Sequence, residues 1–346
     1  MEKIFSDTPK EYTSSIGSTT WPPEKASFER KKGVYPEVID TPQNLENFLE
    51  SLRLLPFDTS TRISVRACVL KEILSNFINN NRDNPHLKII ETIISLEGTN
   101  SGLDDCCLIY VGKNKPERMP NEQQLAEQKE LATKIFSNNH RLNPKQPINN
   151  NHRLDDLTIR VINEEDKKNP NIQMMYYDLY KIFGWNEEDI KALLSNPNNI
   201  LVAAFGENQT LIGSVLGEFG ELTFKRNNMP VNLRLIEITE AAVKLEHRGK
   251  GIYQVVSDTL ISTFTRMKNP PHLVFGELNL ESPAVLTVAA KQGRTPALNT
   301  AKNFDIPNAW FLPQHVPISN GSTNKTGYNN LMVAYLTQKD LMNFNT

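Results

Sequence analysis

Apolar residues between positions 41 and 137 recur mostly at the three- and four-residue spacing of an amphipathic helix. This spacing predicts helices over residues 43–54, 61–79, 85–96 and 122–136. One short continuous apolar run, at 106–111, is typical of a buried strand. The pattern therefore predicts a mainly helical N-terminal domain with one or two strands, and it contains no motif that indicates a reaction.

From residue 156 onward the pattern changes to short alternating or continuous apolar runs separated by helical stretches. The predicted strands are 157–162, 200–205, 210–218, 233–243, 273–278 and 331–336. The predicted helices are 172–195, 252–267 and 283–292, and residues 219–232 are predicted to form a polar, irregular loop. Because a helix that joins two parallel strands makes a right-handed crossover, we expect an α+β chain with a mixed, mostly antiparallel sheet flanked by helices.

Two segments of different composition divide the chain of 346 residues, which is long enough for two domains of ordinary size. Residues 1–40 are rich in Ser, Thr, Pro and charge, which predicts an irregular leader. Residues 138–155 contain few apolar positions, as a linker does. The predicted domains are therefore a helical one at 41–137 and a second one at 156–346.

Charge and cysteine content narrow the classes of partner. The formal net charge of −2 provides no basic surface for nucleic acid, so no nucleic-acid partner is expected. No apolar run reaches the roughly 18 residues of a membrane span, and the first residues lack the apolar core of an export signal. The three cysteines include none at metal-ligand spacing. We therefore expect no membrane association, no metal and a cytoplasmic location; the sequence leaves the oligomeric state open.

The junction at residues 243–253 is the stretch most indicative of chemistry. A predicted strand ends at Val243, a turn contains Gly249 and Gly251, and a predicted helix begins at Ile252. Helix N-termini present unpaired N–H groups and partial positive charge, which suit a phosphate, and glycine allows close backbone approach. The alternative is an ordinary surface turn before a helix, with two basic residues in it.

This junction resembles the pyrophosphate loop of the GNAT superfamily of N-acetyltransferases. The family pattern is Gln or Arg, two residues, Gly, one residue, then Gly or Ala. It is matched here by Arg248 and Gly251, while Tyr253 departs from it and either crowds the loop or packs into the core. The resemblance covers about residues 156–346, where the order of predicted elements also agrees, and it implies a GNAT-like sheet.

The resemblance implies an acetyl-CoA-dependent N-acetyltransferase that acts on a primary amine by direct transfer. It implies a pyrophosphate cradle formed mainly by the backbone amides of Arg248, Gly249, Lys250, Gly251 and Ile252. It also implies main-chain pairing of Ala242 and Val243 with the pantetheine arm, by the physics of strand addition. The acceptor is a small-molecule or a protein amine, and the sequence does not indicate which.

Two carboxylates on the strand before the turn are the candidate catalytic bases. An ammonium must lose a proton before it attacks a thioester, so a base or a chain of water molecules must take that proton. Glu237 lies eleven residues before Arg248, at about the spacing of a glutamate base in some GNAT histone acetyltransferases, and Glu240 is the second candidate. In a regular strand the two point to opposite faces, so only one reaches the cleft unless a bulge intervenes. The alternative is that both are solvated surface carboxylates.

Three further features are less decisive. Many GNAT proteins place an Asn at the start of the next helix and a Tyr later in it, where this chain has Ser282 and Ala289, and Asn279 lies close enough to replace that Asn. The missing Tyr leaves the general acid unidentified and permits a rival function, an acyl-CoA-binding sensor or interaction protein. The apolar run at 308–313 is either a wall over the acyl site or a hydrophobic plug against the sheet.

Overall fold

The computed structural model describes residues 30–54, 62–82, 84–114, 119–138, 157–306, 308–313 and 330–344. Residues 1–29 of the predicted leader and residues 139–155 of the predicted linker lie outside the described residues. The predicted domain boundary between residues 138 and 155 therefore stays a prediction.

The first half alternates strands and helices. Its elements are β1 (Arg30–Ile39), α1 (Pro42–Leu54), β2 (Arg62–Leu70), α2 (Lys71–Asn80), β3 (Ile90–Ser95), β4 (Cys106–Asn114) and α3 (Glu122–Asn138). The second half begins with β5 (Thr158–Val161), α4 (Glu164–Lys168), α5 (Pro170–Tyr180), α6 (Glu187–Ser195), β6 (Asn199–Phe205), β7 (Leu211–Arg226) and β8 (Met229–Val243). It continues with α7 (Ile252–Thr265), β9 (Leu273–Asn279), α8 (Pro283–Lys291), β10 (Thr295–Pro296), α9 (Ala297–Asn303), β11 (Leu312–Pro313), β12 (Asn330–Thr337) and α10 (Gln338–Met342).

Within the described residues, one mixed sheet of twelve strands includes both halves of the chain. Its main path runs β10-β12-β9-β8-β7-β1-β2-β4-β3. Outside this path, β6 pairs with another part of β7, and β11 pairs with β12. The long strand β7 therefore pairs with β6 along its first part and meets β1 near its end, at Lys225 and Glu37. The predicted α+β class and mixed sheet are confirmed.

The sheet curls until its two ends meet. Thr92 of β3 forms an antiparallel bridge with Trp310, which shortly precedes the short strand β11. Nearby, the Ser95 backbone N–H donates a hydrogen bond of 3.2 Å to the Tyr335 hydroxyl on β12. Trp310 is almost fully buried, so the run at 308–313 is part of the joint between the sheet ends.

The two faces of β8 and β9 belong to different hydrophobic cores. Leu235 and Phe275 share a core with residues of β2 and β4, and we call this side of β7, β8 and β9 the inner face. Ile236 and Val274 share a second core with α7, and we call that side the outer face. The N-terminal half thus covers the inner face, and α7 covers the outer face.

Two helices predicted in the first half are wrong. Residues 62–70 form β2, because Ile63, Val65, Ala67 and Val69 alternate at the two-residue period of a strand, and the helix begins only at Lys71. Residues 85–96 begin as a short 3₁₀ turn and continue as β3, whose isoleucines favour an extended backbone. A mainly helical N-terminal domain is therefore not what the structure shows.

Two predictions of irregular backbone are also wrong where the structure describes them, in the last part of the 1–40 leader and in most of the 219–232 loop. Residues 30–39 form β1. The loop is replaced by a hairpin, in which Asn227 and Asn228 adopt φ values of 52° and 61° and join β7 directly to β8. Asparagine tolerates positive φ and is typical of two-residue hairpin turns. On β7, buried Leu222 and Phe224 alternate with exposed residues, as expected of a strand with one solvated face.

Candidate active site

Strands β8 and β9 pair briefly and then separate. Three parallel pairs join them, and the last is Glu237 with Phe275. Beyond this pair, no further pairing between the two strands occurs in the described part of the chain, and residues 238–243 pair only with β7. Ala242 and Val243 lie on this separated part of β8, opposite Ser214 and Gly213. The edge of β8 that faces β9 therefore presents backbone groups to a gap, which we call the split.

The N-terminus of α7 lies at the end of this split. Gly251 is its N-cap, with φ of 80°, and no side chain caps the helix. The first N–H groups of a helix have no partner within the helix, so they are available to an anion. Gly213 makes this position possible, because a Cβ there would lie only 2.9 Å from Ile252 Cγ2.

The predicted cradle residues Arg248, Gly249 and Lys250 form the exposed turn before α7. Gly249 has φ of 76°, and a Cβ built on it would meet no atom within 4 Å, so the backbone is open to a ligand. The Arg248 side chain folds back, and its Nε donates a hydrogen bond of 3.1 Å to the Val243 carbonyl. Tyr253 packs against the core with Val256 and Leu260, which favours packing over crowding of the loop.

A buried arginine lies at the split on the outer face, and the sequence analysis missed it. Arg294 is 2% exposed, and its Nη2 donates a hydrogen bond of 3.3 Å to Ser257 Oγ of α7. Its Nε and Nη1 have no hydrogen-bond partner among the described residues, and the same is true of Gln292 Oε1. A Cβ on Gly276 of β9 would lie 3.0 Å from Arg294 Nη1 and 3.1 Å from the Ile238 carbonyl. The guanidinium therefore occupies the place where β8 and β9 begin to separate.

A β-bulge in β8 lies between the two candidate bases, Glu237 and Glu240. The register passes from Leu216 opposite Thr239 to Ser214 opposite Ala242, so that Val215 faces two residues. Glu240 is one of them and has φ of 45°, a conformation that is rare outside glycine. The Tyr180 hydroxyl donates a hydrogen bond to the Glu240 carbonyl, which helps to hold the bulge. Because of the bulge, the alternation that places residues 237 and 240 on opposite faces does not apply.

Four carboxylates gather on the inner face around the bulge. Glu237 and Glu218 are directly opposite each other on β8 and β7, and both are buried. Glu277 lies two residues beyond Phe275 on the same face of β9. Glu240 as a residue is partly exposed. Loss of water around its carboxyl group is the main cause that raises its pKa to about 7, and the nearby Glu237 and Glu218 carboxylates add to this rise. A carboxyl group with this pKa can take up or release a proton near neutral pH.

The N-terminal half adds a cation and a phenol to this carboxylate cluster. The Arg66 guanidinium carbon lies 4.8 Å from the centroid of the Tyr110 ring and 5.7 Å from that of Phe275. Burial lowers the pKa of Arg66, but Tyr110 and the carboxylates Glu237, Glu277 and Glu218 outweigh this effect and raise it. Burial raises the pKa of Tyr110, against the opposing effect of Arg66. Both groups are therefore protonated at neutral pH.

The turn after β9 contains the remaining candidates. Asn279 Oδ1 accepts a hydrogen bond of 2.9 Å from the Glu281 N–H, so this oxygen stabilises the turn itself. Ser282 is the N-cap of α8, and its side chain makes no capping hydrogen bond. Ala289 is buried. This helix therefore contributes no hydroxyl at the position where the family pattern has Tyr.

No metal site and no membrane span are found in the described residues. Within them, no group of three or more His, Cys, Asp or Glu side chains is arranged to hold a metal ion. Among the described helices, none combines the length and the apolar character that crossing a bilayer requires.

Three comparisons with known proteins give different results. No family model matches the chain, and no curated protein does. Arabidopsis thaliana NAA60 in complex with a bisubstrate analogue is 10% identical, with 52% of this chain and 97% of that chain covered and a TM-score of 0.35. The spermidine/spermine N-acetyltransferase SpeG from Vibrio cholerae, solved in mutant forms, is 16% identical, with 56% and 99% covered and a TM-score of 0.34.

An aminoglycoside acetyltransferase from an uncultured soil metagenomic sample, in complex with sisomicin, is 18% identical, with 36% and 79% covered and a TM-score of 0.27. Solved GNAT acetyltransferases are thus among the structures similar to about half of this chain, as the predicted resemblance implied. With identities and TM-scores this low, the function has to rest on the residues of this chain.

Proposed function

We propose that the chain is an N-acetyltransferase that uses acetyl-CoA and acetylates a primary amine by direct transfer. The observation that carries the proposal is the split between β8 and β9, which has helix N–H groups on the outer side and carboxylates on the inner side. A long ligand with an anionic end and a reactive end suits such a passage. In the net reaction the acetyl group moves from sulfur to nitrogen, and the thiol of coenzyme A and one proton are released.

The outer side of the split fits the cofactor. The uncapped N-terminus of α7 and the turn at 248–250 would hold the diphosphate, and the unpaired edge of β8 at Ala242 and Val243 would pair with the pantetheine amides. Arg294 Nη1 and Nε, which lack partners in the described residues, would donate to pantetheine oxygens. Bound acetyl-CoA supplies an acetyl group activated as a thioester.

The inner side fits the amine. Glu237 and Glu218 lie opposite each other and would hold the ammonium. Glu240, rather than the first-ranked Glu237, is the proposed base, because its pKa near 7 leaves it half ionised at neutral pH and so able to take the proton of the ammonium. Tyr180 acts on Glu240 only indirectly, as a positioning residue, by its hydrogen bond to the bulge carbonyl.

Calorimetry with coenzyme A, followed by an assay of thiol release with a panel of primary amines, tests the proposal. We expect saturable binding of coenzyme A and amine-dependent thiol release. Absence of binding would contradict the proposal, since it removes the basis for any acyl transfer. Binding without thiol release for any amine would instead support the rival function, an acyl-CoA-binding sensor, which the buried Ala289 at the position of the expected acid favours.

A further inference from the structure

Three buried polar residues line up across the N-terminal strands. Arg66 of β2 is in register with Tyr110 of β4, and Tyr110 is in register with Thr92 of β3. Residues in register on neighbouring strands point to the same face of a sheet, so the three side chains form one row, which we call the polar row. Their exposed fractions are only 6%, 2% and 0%.

Each member of the polar row has a hydrogen-bonding atom without a partner. Within the described residues, Arg66 Nη1, Tyr110 Oη and Thr92 Oγ1 have no partner at hydrogen-bond geometry, although Arg66 lies close enough to the Tyr110 hydroxyl to oppose the rise of its pKa. Buried polar groups are nearly always paired, because leaving one unpaired costs its full desolvation penalty. Three such atoms side by side leave hydrogen-bonding capacity that an external oxygen can use.

The polar row faces the carboxylate cluster across the interior of the curled sheet. Arg66 approaches within 5.7 Å of the Phe275 ring, measured from guanidinium carbon to ring centroid, and Phe275 is in register with Glu237. The charges of Glu237, Glu277 and Glu218 act on Arg66, which agrees with its position near them. Neighbouring strands are about 5 Å apart, so the proposed ammonium site at Glu237 lies one strand spacing beyond the Phe275 ring that Arg66 approaches.

The carboxylate cluster and the polar row together determine which charged groups the acceptor must carry. The carboxylates suit an ammonium, whereas Arg66, Tyr110 and Thr92 can donate hydrogen bonds to an oxygen. Arg66 Nη1 can only donate a hydrogen bond, so a second ammonium beside it would gain none from it. A carboxylate there would receive charge-assisted hydrogen bonds, which are the strong ones.

From this juxtaposition we infer that the acceptor is a zwitterionic amine of the amino-acid class. Its ammonium binds at Glu237 and Glu218, and its carboxylate binds to the polar row, only a few bonds away. The inference rests on the proposed function and extends it, because it assigns a substrate-binding role to the N-terminal half. It also separates this acceptor class from polyamines, which carry no carboxylate.

Matched pairs of amines test the inference. Each pair consists of an amino acid and the same molecule without its carboxylate, such as lysine with cadaverine, phenylalanine with phenethylamine, and 4-aminobutyrate with propylamine. Thiol release from acetyl-CoA gives kcat/KM for each, and calorimetry gives the affinity independently of turnover. We expect the carboxylate to raise kcat/KM and affinity roughly tenfold or more in at least one pair, as a hydrogen bond to a charged group does.

Arg66→Met should abolish this advantage while it leaves the affinity for acetyl-CoA unchanged. Arg226→Met is the matched control, since Arg226 lies at the far end of β7 and its guanidinium joins the two halves of the chain. Its Nη1 donates a hydrogen bond of 2.8 Å to Asp105 Oδ1. The control should lose stability and keep the preference for the carboxylate. Tyr110→Phe, which removes only a hydroxyl, should reduce the preference without unfolding the protein.

Equal use of both members of every pair, or an equal loss for both in Arg66→Met, would overturn the inference. So would the failure of every amino acid to bind in calorimetry, whether or not the protein turns over. Failure to bind acetyl-CoA would contradict the proposed function instead, and the calorimetric comparison of the pairs would still decide the acceptor class.

Discussion

The two sides of the split between β8 and β9 carry opposite chemistry. The outer side presents the N–H groups at the start of α7 and the buried Arg294, all of which donate. The inner side presents Glu218, Glu237 and Glu240, all of which accept or carry negative charge. Under the proposed function, a single separation of two strands would divide the site for the anionic cofactor from the site for the ammonium. This division predicts that substitutions on one side leave binding on the other side intact.

The largest expected effect comes from the inner side. Glu240→Gln should lower kcat by about 10²- to 10⁴-fold, the range for loss of a general base, and leave the affinity for coenzyme A within about twofold. Glu221→Gln is the matched control, because Glu221 lies exposed on β7 with no place in the cluster, and its kcat should stay near the wild-type value. A Glu240→Gln variant with full kcat would show that the bulge does not hold the base.

The next effect comes from the outer side. Arg294→Met should weaken coenzyme A binding about 10- to 100-fold, since a hydrogen bond to a charged group is worth about 1.5–3 kcal/mol. The same change should not destabilise the free protein, and should raise its melting temperature, because a buried guanidinium with two unpaired nitrogens is costly. Thermal melting checks the expected rise in melting temperature, and calorimetry checks the expected loss of coenzyme A affinity. Loss of stability with unchanged affinity would mean that Arg294 is purely structural.

The pH profile distinguishes the two sides further. The raised pKa of Glu240, about 7, means that the base is protonated and inactive in acid. We expect kcat/KM to rise with pH and level off above about 7, with a value roughly tenfold lower at pH 6. Coenzyme A affinity should not follow this curve. Steady-state assays over pH 5–9 measure kcat/KM, and a profile that stays flat would exclude Glu240 as the titrating base.

The smallest effect should come from the turn. Gly251→Ala places a Cβ at φ of 80°, which costs about 1–2 kcal/mol and displaces the first N–H groups of α7. Coenzyme A affinity should fall several-fold, while acceptor binding stays the same. Gly102→Ala is the control, because Gly102 also has positive φ, at 84°, and a Cβ there has ordinary contact with Val231. Equal affinity in the two variants would show that the turn does not bind the diphosphate.

The sequence was sufficient to predict the turn before α7 and the start of that helix, because both are local, whereas the binding of a diphosphate there stays a prediction. Gly249, Gly251 and the start of α7 lie within a few residues of one another, and their spacing alone indicates the turn. Strands β6 and β7, predicted at 200–205 and 210–218, are neighbours in sequence and pair with each other. By contrast, Arg294 could not be assigned, since its position depends on contacts with α7 and β9 rather than on neighbours in sequence.

The inner side depends on contacts that the sequence does not reveal. Arg66 meets Phe275 only because β2 and β9 face each other in the curled sheet. The bulge at Glu240 breaks the strict alternation on which the choice between Glu237 and Glu240 was based. One signal was present and overlooked: Ile63, Val65, Ala67 and Val69 alternate as in a strand, which would have placed Arg66 on a sheet.

The joint between Thr92 and Trp310 has a consequence for folding while the protein is being synthesised. Strand β3 leaves the ribosome early, yet its bridge partner is made much later, and the residue whose hydroxyl binds Ser95 follows 240 positions further along the chain. Chains are synthesised from the N-terminus, and long-range pairings form slowly. Until the last strands emerge, the first ones keep an unpaired edge, so the nascent N-terminal half needs shielding during translation.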